Sequence, residues 1–232
     1  ACRRAARVMA LFYRGGRNDD NAATPVHDRA RQTGFKMPDN DMDSRVRLRE
    51  LTVLSDNHYV LRKARFELLR RDGRRQELLR ESYDIGDGAA VLPVDAARGL
   101  VLLIRQFRWP AFEAGHPAPL IEAVAGKLDG DDPEQCVRKE AMEEAGVRIG
   151  ALERVTKCFT SPGAVKEQLS LFLAAYDSAA PRAKGGGDEA EGEDIEVLEM
   201  SLDAALDLVA HGEINDAKTI LLLQAAKLKE RK

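Results

Sequence analysis

The chain has 232 residues, 44% of them hydrophobic, and a formal net charge of −3. That is long enough for one domain of ordinary size plus an appendage, with the composition of a globular protein. Lys and Arg are scattered among acids, so there is no phosphate-tracking stripe to suggest nucleic acid, and no apolar run approaches the roughly 20 residues that cross a bilayer.

Residues 1–18 hold five arginines and no acid. That composition suits a targeting presequence, although an upstream leader or a start-site artefact is the simpler reading. Residues 19–44 are rich in Asp, Asn, Pro and Thr with little periodicity, so residues 1–44 are expected to be a disordered or leader extension. Met37 and Met42 are candidate starts.

Ordered patterning begins near Arg45. Residues 46–54 and 58–70 alternate in part between apolar and polar, with Asp56-Asn57 as a turn between them. Asp72-Gly73 is a strong hairpin signal ahead of residues 75–84. Residues 45–85 therefore predict a small antiparallel sheet of three strands, which still needs something to pack on.

Short strands follow at 89–94, 100–106 and 119–125. Residues 133–145 predict a helix, with Asp132 as N-cap, Pro133 at the first helical position and Gln135 completing a capping-box pattern. Gly146 ends it, and Val137, Ala141 and Ala145 fall on its core stripe. Strands are expected at 151–160 and 167–176. Gly185-Gly186-Gly187 then opens an acidic loop, 185–194, that reads as too polar to pack. A strand at 194–200 and helices from Ser201 to about 210 and from Asn215 or Asp216 to about 229 complete the pattern. Strands surrounding few helices predict an α/β fold, a sandwich with a mixed sheet over residues 86–230. Cys2, Cys136 and Cys158 are too widely spaced for a disulfide framework or a zinc site, which points to a reducing compartment, the cytoplasm.

The chemistry lies on the helix. Glu140 and Glu144 are four residues apart and share a face, with Glu143 beside them. Like charges at this spacing repel, and the C-terminal end of a helix disfavours anions. A hard cation with oxygen ligands reverses both costs. An acidic solvated face is the plain alternative for an isolated cluster.

The frame around the cluster decides between these. Gly126 stands after a strand, Asp132 before the helix, and Lys139-Glu140-Ala141-Met142-Glu143-Glu144-Ala145-Gly146-Val147 follows. This resembles the Nudix box, G-x5-E-x7-R-E-U-x-E-E-x-G-U. Asp132 replaces the first Glu, Lys139 replaces the Arg, and the intervening segment is one residue shorter. The short box resembles the GDP-mannose pyrophosphatase branch. So do Ile104-Arg105-Gln106-Phe107-Arg108, Leu120-Ile121-Glu122, Gly126-Lys127-Leu128-Asp129, Ser161-Pro162-Gly163, Glu193-Asp194-Ile195-Glu196-Val197 and Asp216-Ala217-Lys218-Thr219.

The resemblance implies a Nudix α/β/α sandwich that hydrolyses the pyrophosphate of a nucleoside diphosphate sugar with Mg2+. GDP-mannose, giving GMP and mannose 1-phosphate, is the implied substrate, and ADP-ribose is the alternative. A nucleotide-binding regulator without catalysis is the rival of another class; it is disfavoured because Glu140, Glu143 and Glu144 are all kept. Implied metal ligands are Glu140, Glu144, Glu193 and the backbone carbonyl of Ala125. Glu143 is implied as a ligand or water-holder, and Glu167 as the base. Implied substrate contacts are His58, Arg80, Glu81, Arg108, Ala125, Gly126, Lys127, Glu167, Gly192, Glu193 and Lys218, with Tyr59 able to stack in place of His58. The family also implies a homodimer with shared sites, in which His58, Arg80 and Glu81 serve the partner's cleft. No nucleic-acid or membrane partner is implied.

Overall fold

The computed structural model describes residues 44–230. The readings made for the leader, for Met37 and Met42 and for Cys2 fall on residues outside that range.

Three strands, β1 (Val46–Asp56), β2 (Val60–Leu69) and β3 (Arg75–Asp84), form an antiparallel meander. The β2–β3 turn is as the sequence predicts. Gly73 takes a left-handed φ of 81°, and the Asp72 carboxylate accepts the Arg74 N–H at 3.1 Å. The β1–β2 connection lies two residues further on than expected. Residues 57–59 are a bend, so His58 and Tyr59 stand at the tip of the hairpin and not inside a strand. None of the three strands holds a fully buried residue.

The second sheet has seven strands. β4 (Gly88–Asp95), β5 (Leu100–Gln106), β8 (Leu152–Phe159), β9 (Gln168–Ala175) and β10 (Glu196–Ser201) run in the order β10-β5-β4-β9-β8. It is mixed, since β4 lies parallel to β9 and the other pairings are antiparallel. β4 and β5 pair only beside their hairpin, at Val94–Val101 and Asp95–Leu100. Beyond it they part, and one chain segment fills the gap. The single strand expected at 119–125 is really two, β6 (Leu120–Glu122) on β5 and β7 (Val124–Lys127) on β4. Ala123 is where the segment changes partner, and its freed N–H donates to the Thr219 hydroxyl at 2.7 Å.

Four helices complete the described chain: α1 (Trp109–Glu113), α2 (Pro133–Glu143), α3 (Leu202–Ala210) and α4 (Ala217–Glu230). The one-turn α1 carries too little periodicity to be read from sequence. Asp132 caps α2 by accepting the N–H of Glu134 and Gln135, and Ser201 caps α3 through Ala204. The alternation of β4 and β5 sends side chains to two cores. Ala89, Val91, Leu102 and Ile104 meet Val137 and Ala141 of α2 on one face. Ala90, Leu92, Val101 and Leu103 meet Ala205 of α3 and Leu222 and Leu223 of α4 on the other. Each Val, Leu or Ile among them contributes about 1.5–3 kcal/mol once buried, and each Ala less. The result is an α/β/α sandwich whose sheet splays open at one end.

Candidate active site

The splay between β4 and β5 opens a cleft of about 920 Å3. β7 forms its floor through Ala125, Gly126 and Lys127, and α2 supplies Lys139 and Glu140. Arg105, Phe107 and Arg108 line it from the end of β5, and Gly192, Glu193 and Asp194 from the loop before β10. Acidic and basic walls thus face each other, as a metal-bound diphosphate requires.

The carboxylates are held unequally. Glu144 is 1% exposed, and its carboxylate accepts the Ala125 N–H at 3.2 Å. Burial, then the charges of Glu140 and Glu193, push its carboxyl up to about 8. The site therefore carries negative charge that the protein alone does not offset. Glu140 lies against the floor, where a methyl group on Gly126 would stand 2.1 Å from its Oε1. Glu143 is exposed and pairs with Lys139 at 3.4 Å. Glu193 is held by the Asp188 N–H at 2.9 Å and packs against Gly187, whose φ is 81°.

This donor set is all oxygen, so it suits a hard cation such as magnesium. Among the described residues no three such side chains already form a closed ligand group. The carboxylates must turn in on an ion for it to be held. Glu140 and Glu193 line the cleft, and Glu144 is buried beside Ala125 of its floor. Ala125 meets Glu144 through its N–H.

Basic residues gather around a carboxylate that the sequence reading did not single out. Glu122, on β6, is buried. It accepts the Gln106 amide at 3.1 Å, Arg108 Nε at 2.9 Å and Lys218 Nζ at 3.1 Å. Burial disfavours the Arg108 charge, but Glu122, then Glu144 and Asp216, raise its pKa above the usual guanidinium value. Lys218 is pinned between Glu122 and Asp216 behind Arg108, outside the cleft lining. A buried Glu among apolar strand residues was the available signal.

The acidic loop was expected not to pack, yet its glycines do. The Gly186 N–H donates to Glu144 O at 2.8 Å and the Gly187 N–H to Glu143 O at 3.0 Å. They satisfy carbonyls left over at the end of α2. A methyl group on Gly185 would stand 2.9 Å from the Ala145 carbonyl carbon, so glycine lets the two backbones touch.

His58 and Tyr59 line the cleft of their own chain, so a site on their own chain is open to them as well as the partner's. Lys127 Nζ stands 4.2 Å from the Tyr59 ring centroid. Arg80 and Glu81 are exposed on β3 and do not line the cleft. Nor does Glu167, whose carboxylate accepts the Thr160 hydroxyl at 2.7 Å.

The GDP-mannose pyrophosphatase NudK N-terminal domain matches residues 45–83 and the NUDIX domain residues 85–223. A GDP-mannose pyrophosphatase of Cronobacter sakazakii is 49% identical over 81% of this chain and 98% of its own length. One from Pectobacterium atrosepticum is 44% identical over 80% and 95%. Among solved structures, an ADP compounds hydrolase superposes with a TM-score of 0.61 at 16% identity, covering 81% of this chain and 96% of the other. That last likeness is one of fold.

Proposed function

The chain belongs to the Nudix family, in the branch that carries the NudK N-terminal domain, and on that premise we propose that it hydrolyses GDP-mannose to GMP and mannose 1-phosphate with Mg2+. The relatives named as GDP-mannose pyrophosphatases supply the substrate. The observation that carries the chemistry is the buried Glu144 carboxylate, pushed up to about 8 beside Glu140 and Glu193 on the edge of a cleft with a basic wall.

A divalent cation held there would supply positive charge against the negative charge that builds on the diphosphate as the P–O bond breaks. Glu140, Glu144 and Glu193 are the proposed side-chain ligands, with the Ala125 carbonyl. Arg108 and Lys127 bind the diphosphate from the basic wall, and Gly126 and Gly192 let it approach the backbone. Tyr59 or His58 offers a ring face to the base. Water attacks one phosphorus, the bridging oxygen leaves with the bond's electron pair, and a carboxylate takes the water's proton. Glu167 is the proposed base, reaching the cleft when its bond to Thr160 is released. Glu143, beside the ligands, holds water.

The homodimer belongs to the same proposal. The three-stranded sheet buries nothing fully and exposes Leu48, Val53, Leu54 and Leu79. Its charge also differs from the rest. Residues 45–84 carry eleven Lys and Arg against seven Asp and Glu, residues 85–232 seventeen against twenty-six. A basic, partly apolar sheet fits over an acidic cleft whose rim exposes Phe107, Trp109 and Phe112. Arg80 and Glu81 would then reach the other copy's substrate. In this reading residues 45–85 are the dimerising unit, residues 86–230 the catalytic one, and residues 1–44 an extension to both. The cytoplasm is the proposed compartment, supported by free Cys136 and Cys158.

A panel of nucleotide sugars with magnesium, with phosphate release coupled to a phosphatase, tests the substrate. GDP-mannose is expected to turn over fastest. No turnover of any diphosphate in the panel would refute the enzyme reading.

A further inference from the structure

The loop 161–167, which carries Glu167, is fastened to the small sheet. The Tyr83 N–H donates to Ala164 O at 2.8 Å, and the Lys166 N–H to Tyr83 O at 2.9 Å, an isolated parallel bridge centred on Val165. One side chain reinforces it. Asp84, the last residue of β3, accepts Lys166 Nζ at 2.8 Å and Arg62 Nη1 from β2 at 2.7 Å. Asp84 and Arg62 are mostly buried, at 20% and 14% side-chain exposure, whereas Lys166 is 57% exposed. Burial works against the Asp84 charge, and the hydrogen bonds from Lys166 and Arg62 still hold its carboxyl below the usual value. Asp84 is therefore an ionised hub shared by the sheet and the loop.

The residue after Lys166 is Glu167. Its Oε1 stands 3.9 Å from where a methyl group on Gly88 would lie, and Gly88 pairs with Lys127 of the cleft floor. The carboxylate is thus beside β4, the strand that pairs with β7 of the floor, and the Lys166 anchor sits one residue away.

We propose that Asp84 is a positioning residue: through Lys166 it anchors the loop 161–167 to the small sheet and so sets where the Glu167 carboxylate stands. The inference rests on the reading of Glu167 as the base. It also gives the small sheet a role in its own chain's chemistry.

The test uses the full chain with magnesium and GDP-mannose, in Asp84→Asn and Lys166→Met. Asp84→Asn removes the charge and one of the two accepting oxygens that Arg62 relies on, and Arg62 Nε already lacks a partner among the described residues. Lys166→Met keeps the Asp84–Arg62 pair and guards against simple misfolding. Both variants are expected to exchange the amide hydrogens of residues 161–167 about fivefold faster, without substrate. Both are expected to lose about fivefold in kcat with KM within about twofold, and the double variant to be no worse than either single one. Asp84→Glu should restore part of the loss. Unchanged exchange in Lys166→Met overturns the anchor. Faster exchange with unchanged kcat overturns the positioning role. Glu167→Gln separates the two ideas. Full activity there removes the role given to Glu167 and its consequence for kcat, while the exchange rates still decide whether Asp84 anchors the loop.

Discussion

Arg108 meets Glu122 through both Nε and Nη2, each 2.9 Å from the same carboxylate oxygen. Glu122 is almost fully buried, while Arg108 keeps 40% of its side chain exposed toward the cleft. A charge-assisted pair of this kind fixes the plane of a guanidinium as well as its place.

Replacing Glu122 by Gln keeps the shape and removes the charge. Arg108 and Lys218 then lose the negative charge they share, and one of the two accepting oxygens becomes an amide NH2 that cannot accept, so Arg108 is held less firmly in its orientation. We expect KM for GDP-mannose to rise about tenfold, some 1.4 kcal/mol of binding, with a smaller fall in kcat. Steady-state kinetics at saturating magnesium measure it. A KM equal to that of the unaltered protein would show that Glu122 does not orient Arg108.

Glu144 makes the stability of the metal-free protein depend on pH. Its folded pKa, about 8, lies above the ordinary carboxylate value of 4.5. The folded state therefore holds a proton that the unfolded state has lost between those values. The stability from that raised pKa is complete below about 4.5 and is lost as pH rises toward about 8, at no more than about 1.4 kcal/mol per unit. Melting in EDTA is expected to show a Tm falling from pH 5 to 8, and Glu144→Gln should flatten that fall. Magnesium competes with the same proton, so its apparent affinity should rise up to tenfold per unit over the same range. A Tm in EDTA that climbs with pH in this window would contradict the assignment.

Gly126→Ala separates folding from chemistry. The added methyl group meets the flexible end of the Glu140 side chain, not backbone, and Gly126 has no left-handed φ. The cost to the fold is expected to stay below about 1 kcal/mol. Glu140 must leave its place on the cleft floor, so magnesium-dependent kcat should fall tenfold or more. Thermal melting and kinetics on the same preparation read both quantities.

Gly185→Ala tests the opposite case. Its methyl group would meet the backbone of Ala145 and Gly146 at 2.9 Å, and its φ is 58°. Neither can move cheaply, so a loss of about 1–3 kcal/mol in stability is expected in urea unfolding.

Leu79→Asp addresses the small sheet. Leu79 is 48% exposed, so the lone chain loses little from the change. A dimer that buries it loses much. Sedimentation at micromolar concentration is expected to give a dimer for the unaltered chain and monomer for the variant. A monomer in both cases would remove the dimer proposal.

The sequence by itself determined most of the elements and singled out the carboxylates of the proposed cation site. Short apolar runs marked β4 and β5, and because successive strand side chains point to opposite faces, Ala89 and Ala90 serve opposite cores. Asp132, Pro133 and the spacing of Glu140 and Glu144 fixed α2 and its acidic stripe, since capping and the i,i+4 relation are local geometry. What the tertiary structure decided was everything that depends on distant segments meeting. The partner change at Ala123 follows from the parting of β4 and β5, which no local pattern records. Glu122 collects donors 14, 16 and 96 residues away. Glu144, not Glu143, is the buried carboxylate, because its side chain faces β7, where it accepts the Ala125 N–H, while Glu143 stays exposed. Burial is a property of what covers a residue, and here the covering strand lies nineteen residues upstream.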